Sequence, residues 1–213
     1  MKKPYPLYRP EIPNSVVFHE IYQQIPFTGI SNKQLSKNFS LKEAVDAAFV
    51  RGFEKSQFTR IPIDPRVILA SQAIRDALNK PIKLGSTFRS MEWEFYRKRP
   101  GTSRHTYGMA WDLSGDGLVK MMTEAVNTKN ELYRRLKQIG IGFIQIYPYS
   151  NFVHIDTRPN NTQDIQVVFE KKKGSGLDKI ALMDALSFVA VLVTIVTPLF
   201  ALGNYLYNRF KKK

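Results

Sequence analysis

Ser103-Arg104-His105-Thr106-Tyr107-Gly108-Met109-Ala110-Trp111-Asp112 is the stretch on which the reading of this chain turns. Gly108 and Ala110 are small enough for the backbone to pass close to a neighbour. His105 arrives from a loop, while Asp112 sits on a strand running from about Met109 to Leu113. A second stretch, Phe152-Val153-His154-Ile155-Asp156-Thr157-Arg158, alternates as a strand, which puts His154 and Asp156 on one face and Val153 and Ile155 on the other. Two imidazoles and a carboxylate around one point, with a coordination position left to water, make the donor set of a catalytic zinc site. The chain has no cysteine, so any metal must be held by His, Asp or Glu. The spacing alone is a weak signal, because a His and an Asp seven apart with a distant second His often arise by chance. The third histidine, His19, stands alone and reads as a surface residue.

Outward from these two stretches, a domain is expected over residues 35–170. Ser40 and Glu43 form a capping box that opens a helix through Phe49. Asp64-Pro65 opens a second helix to about Asn79, burying Val67, Ile68, Ala70, Ile74 and Leu78. Ile82 to Thr87 reads as a strand, and Ser90 to Ser103 as a partly helical excursion. A third long helix is expected from about Leu118 to Ile139, ending at Gly140. Gly142 to Tyr147 and Phe152 to Thr157 then pair across a turn at Pro148-Tyr149-Ser150-Asn151, and Ile165 to Phe169 adds a further strand. Helices followed by a small antiparallel sheet, with the helices on one side, give an α+β class.

Residues 1–34 read as an arm broken by Pro4, Pro6, Pro10, Pro13 and Pro26. Residues 171–184 read as a basic, flexible linker, 185–208 as a transmembrane helix and 209–213 as a basic tail. No charged residue occurs from Ala185 to Asn208, and 24 helical residues span about 36 Å, enough for a hydrocarbon core of roughly 30 Å. The formal charge of +14 invites a nucleic-acid partner. Its location argues otherwise, since eight basic residues from Lys171 onward stand against two acidic ones and flank the apolar run, where lipid headgroups are the usual partner. Met1-Lys2-Lys3 is followed by Pro4 and Pro6 with no apolar segment, so a secretory signal is not expected.

Four segments in order resemble the zinc D-Ala-D-Ala carboxypeptidase family of cell-wall peptidases, whose fold is shared with the hedgehog signalling domain. They are Leu35 to Glu43, Gly85-Ser86-Thr87-Phe88-Arg89-Ser90, the Ser103 to Asp112 stretch, and Ile139 to Gly142 leading to Phe152 to Arg158. The resemblance covers about residues 35 to 158. It implies that His105, Asp112 and His154 hold Zn2+, that Arg89 fixes the substrate carboxylate or carbonyl, and that Ser86 and Ser103 shape the same pocket. Many relatives carry an acid three residues before the last histidine; here that position is Asn151, which cannot take up a proton. Asp156 is then a candidate general base, or else it orients a ligand imidazole or meets a substrate amine, with Glu92 and Glu94 as further candidates. Tyr107, Trp111 and Tyr147 are either groove walls or core.

The function this implies is zinc-dependent hydrolysis of peptide bonds in peptidoglycan. Compact peptidases of this kind without a signal peptide resemble bacteriophage lysis enzymes or virion parts. The expected location is accordingly a virion membrane or the host envelope, with the lipid bilayer met through residues 185–208 and other virion proteins through the arm. The competing expectation is a zinc-binding structural or adhesive virion protein that has lost catalysis.

Overall fold

The computed structural model describes residues 15–20, 33–48, 60–159 and 163–172. Most of the arm, the linker, the apolar run 185–208 and the tail lie outside the described residues. Among the described residues, no helix is long and apolar enough to cross a membrane.

Thirteen elements follow one another among the described residues. They are β1 (Val17–Glu20), α1 (Leu41–Ala48), β2 (Arg60–Ile63), α2 (Pro65–Leu78), β3 (Lys83–Ser86), α3 (Met91–Tyr96) and a 3-10 turn (Arg104–Tyr107), then β4 (Ala110–Ser114), α4 (Leu118–Thr128), α5 (Glu131–Ile139), β5 (Phe143–Tyr147), β6 (Phe152–Asp156) and β7 (Gln166–Phe169). The capping box at the start of α1 is present: the Ser40 backbone N–H donates to Glu43 Oε2 at 2.8 Å and the Glu43 N–H to Ser40 Oγ at 3.2 Å. Asp64 caps α2, accepting from the Arg66 N–H, and Asn79 ends it in the left-handed region.

The α+β class holds, with three corrections. Strands and helices interleave along the first half instead of helices preceding the sheet. The long helix expected from Leu118 to Ile139 is two helices: Lys129 turns left-handed at φ 48° and Asn130 caps a fresh start, its side chain accepting from the Tyr133 N–H. Asn130 offers the backbone a local partner that competes with helix continuation. The five-stranded sheet, in order β3-β4-β6-β5-β7, is antiparallel except that β7 runs parallel to β5. β6 has β4 on one side and β5 on the other, and it ends level with the start of β5, so a strand added there on the outer edge of β5 runs parallel to it.

Alternation divides the sheet into two faces. Trp111, Leu113, Ile144, Ile146, Val153 and Ile155 point to one side and join the buried faces of α1, α2, α4 and α5 in one apolar core. Each such side chain contributes about 1.5–3 kcal/mol on burial. Trp111, 1% exposed and edge-on to Phe39, belongs to that core, and Tyr107 packs with Val16 and Met109, so neither forms a groove wall. The opposite face carries one row of partners in register, Ser86, Asp112, His154 and Gln145.

β1, within the segment read as an arm, pairs antiparallel with β2, His19 facing Ile61. His19 is therefore not a surface residue. It is 8% exposed, and burial first, then the charge of Lys33, lowers its pKa.

Candidate metal centre

His105 reaches the site from the 3-10 turn, whose backbone is held tightly. The Arg89 N–H donates to the His105 carbonyl, the Met109 N–H to that of Arg104 and the Asp64 N–H to that of Gly108. On the ring, Nδ1 lies 2.6 Å from the Thr87 carbonyl oxygen. That oxygen only accepts, so Nδ1 carries the proton and the Nε2 lone pair faces inward. Asp112 and His154 are direct cross-strand partners, so their side chains rise side by side from the same face.

The three converge. His105 Nε2 is 3.2 Å from His154 Nδ1 and 3.3 Å from Asp112 Oδ1, and His154 Nδ1 is 2.8 Å from Asp112 Oδ1. A tetrahedral ion with bonds of about 2.0–2.1 Å holds its donor atoms roughly 3.3 Å apart. The donor set and its separations therefore fit zinc, and these three residues are the cluster of metal-ligating side chains found among the described residues.

Electrostatics follows from burial and pairing. Burial lowers the pKa of His105, keeping the ring neutral with its lone pair available. Burial works against the charged forms of Asp112 and His154 too, but mutual pairing overrides it. Asp112 is held well below the usual carboxylate range by His105 and His154, while His154 is raised by its bonds to Asp112 and Asp156. Both nitrogens of His154 face carboxylates, which is why its charged form is favoured.

Asp156 stands on the far side of that ring. Its Oδ2 is 3.0 Å from His154 Nε2, and both its oxygens are taken by Arg158, whose Nε lies at 2.8 and 2.9 Å and whose Nη2 closes the fork. It is fully buried and faces away from the point where the three donor atoms meet. This is the geometry of a group orienting an imidazole, not of a base reaching a water at the metal point. Glu92 is exposed, and buried Glu94 sits behind Arg89, which it meets at 3.4 Å. Asn151 is exposed at the hairpin turn, at φ 53°.

Arg89 is at the centre. Its Nη2 donates to Asp112 Oδ2 at 2.7 Å and lies 3.1 Å from His105 Nε2, while its Nε donates to Ser86 Oγ at 2.9 Å. Ser86 thus aims Arg89 instead of lining the cleft, whereas Ser103 does line it. The cleft above the three donor atoms has a volume of about 720 Å³. Its walls include Arg89, Arg99, Arg104 and Arg158 with Tyr147, which stacks on Phe152 at 4.0 Å, and Asp112 is the one carboxylate lining it among the described residues.

Several contributors were not singled out in the sequence: the Thr87 carbonyl, Gln145, Phe143, Arg99, Arg104 and Arg158. Arg158 had a legible signal, since a basic residue two positions after Asp156 on an extended strand returns to the same side. A family model described as Peptidase M15 matches residues 46–156, the span that contains Arg89, His105, Asp112, His154 and Asp156. No curated protein matches the chain.

Proposed function

The chain belongs to the peptidase M15 family, whose members are zinc-dependent, and from that premise we propose that it hydrolyses amide bonds in bacterial peptidoglycan. The observation that carries the proposal is the convergence of His105 Nε2, Asp112 Oδ1 and His154 Nδ1 at tetrahedral separations on the floor of an arginine-lined cleft. When bound, zinc supplies Lewis acidity there, activating water and polarising the scissile carbonyl.

The chain's own residues do the rest. Thr87 and Asp156 fix the two imidazoles so that a chosen nitrogen of each faces inward. Arg89, held by Ser86, Asp112 and buried Glu94, keeps one Nη1 N–H and its positive charge for the substrate carboxylate or carbonyl. Ser103 and the Tyr147–Phe152 pair wall the cleft and limit the poses a stem peptide can adopt. The uncharged run over residues 185–208 and its flanking lysines support a tether to the membrane of a virion or host envelope.

Substitution separates the two roles open to Asp156. As an orienting group, Asp156→Asn lowers zinc affinity by about 10–100-fold and activity returns when zinc is saturating. As a base, it would leave affinity intact and lower kcat by about 100-fold or more even with zinc saturating. Isothermal titration with zinc, paired with rates at saturating zinc, tells them apart. We expect the first outcome.

One observation favours a second reading, a zinc-binding wall-recognition protein without turnover: no carboxylate except Asp112 lines the cleft among the described residues. Whole protein incubated with purified peptidoglycan, with added zinc or with chelator, decides between them. Mass spectrometry of released muropeptides is expected to show zinc-dependent cleavage. Retained zinc without any fragment would leave only the second reading standing.

A further inference from the structure

The charges that meet at the cleft do not balance among the described residues. Arg158 is matched by Asp156. Arg89 is matched by Asp112, and the buried carboxylate of Glu94 lies between Arg89 at 3.4 Å and Arg99 at 3.5 Å. Four guanidiniums thus share three carboxylates, and Arg104 is the one left without an acidic partner among the described residues.

Arg104 is not a loose surface cation. It opens the 3-10 turn, next to His105, and its carbonyl accepts from the Met109 N–H at 3.0 Å, so its backbone is pinned. The guanidinium carbon lies 5.7 Å from the centre of the Tyr107 ring, which is itself buried, and the half-buried side chain lines the cleft. A guanidinium held on an aromatic face has lost part of its freedom in advance, so less entropy is spent when it binds an anion. Its planar fork suits a carboxylate with two parallel hydrogen bonds.

We propose that Arg104 recognises a second carboxylate on the substrate, distinct from the group that Arg89 meets. This rests on the peptidoglycan reading above and narrows it. The substrate class is a stem peptide with a free carboxylate on a residue away from the scissile bond, such as the α-carboxylate of a γ-linked glutamyl residue. A peptide in which that group is amidated is the disfavoured counterpart.

Two synthetic pentapeptides test this, L-alanyl-γ-D-glutamyl-L-lysyl-D-alanyl-D-alanine and the same peptide with the glutamyl α-carboxylate amidated. Binding to the zinc-loaded whole protein is measured by calorimetric titration, and cleavage is scored separately by mass spectrometry. Wild-type protein is expected to bind the acid at least about tenfold more tightly than the amide. Arg104→Gln is expected to bring the ratio close to one by weakening the acid alone, with its zinc content unchanged. If Arg104→Gln does not load zinc, the ratio is read on Arg104→Lys, which keeps the charge without the fork and is expected to fall between the two. Equal binding of both peptides by the wild type, no binding of the acid, or equal weakening of both by the substitution overturns the assignment. Because binding is read apart from cleavage, selective binding without hydrolysis would remove the enzymatic reading and leave Arg104's role intact, and unselective cleavage would do the reverse.

Discussion

Alanine at position 154 is expected to strip the protein of zinc and to reduce peptidoglycan hydrolysis by roughly a thousandfold, about 4 kcal/mol of lost stabilisation. The reason is geometric. His154 Nδ1 is the donor that stands within 3.2 Å of His105 Nε2 and 2.8 Å of Asp112 Oδ1, and its neighbours on the site face offer no replacement. Gln145, its partner across β5, ends in an amide that is a poor zinc donor. The fold should tolerate the change. The ring lies on the site face and not in the apolar core, and Asp156 keeps its bonds to Arg158 when the imidazole is gone. Loss of the His154–Asp156 hydrogen bond costs about 1–2 kcal/mol of stability, far less than the functional effect. Metal analysis after dialysis, circular dichroism and muropeptide release together check it. A folded His154→Ala protein with one zinc per chain at wild-type affinity would remove His154 from the ligand set.

How far this site could be read from the chain depends on whether a residue's role is local. His154 and Asp156 sharing a face follows from strand alternation alone, and the structure has it. The Asp64 cap, the Ser40–Glu43 box and the left-handed stop at Asn79 are likewise set by residues within one turn of each other. The break at Lys129-Asn130 was equally local, but the apolar spacing continues across it in Leu132 and Leu136, so the pattern reads as one helix. What the chain does not announce is anything set by strand order. The parallel β7 and the neighbourhood of Arg104 depend on the order of the strands, whereas the meeting of Asp112 with His154, which no local pattern dictates, was implied by the resemblance and is present. Asp156 shows the difference most directly: its face was legible, but which side of the imidazole it occupies is settled by Arg158 holding it there. His19 misled because a lone histidine among prolines has no periodic pattern, and its burial comes from pairing with residues more than 40 positions away.

Gly108→Ala is expected to destabilise the metal-free protein by roughly 3–5 kcal/mol and, without touching any ligand, to weaken zinc binding as well. Gly108 sits at φ +70°, where an L side chain is strained, and a Cβ built there would come within 2.4 Å of the Pro62 carbonyl oxygen and 2.5 Å of its carbon. Both are backbone atoms, so no side-chain rotation relieves the contact. Neither partner can retreat cheaply. Pro62 belongs to β2, which pairs with β1, and the Asp64 N–H donates to the Gly108 carbonyl at 2.8 Å while capping α2. The 3-10 turn must then give way, and it carries His105, whose Nδ1 is anchored by a 2.6 Å contact to the Thr87 carbonyl. A displacement there moves His105 Nε2 away from the other two donor atoms, which stay on the sheet, and so weakens their joint hold on the ion. Denaturant titration without metal and zinc titration at low denaturant measure the two effects separately. If the variant unfolds at the wild-type midpoint and binds zinc as tightly, the close passage of β2 is not what positions His105. If stability falls while affinity holds, the turn is rigid on its own, and the glycine serves the fold alone.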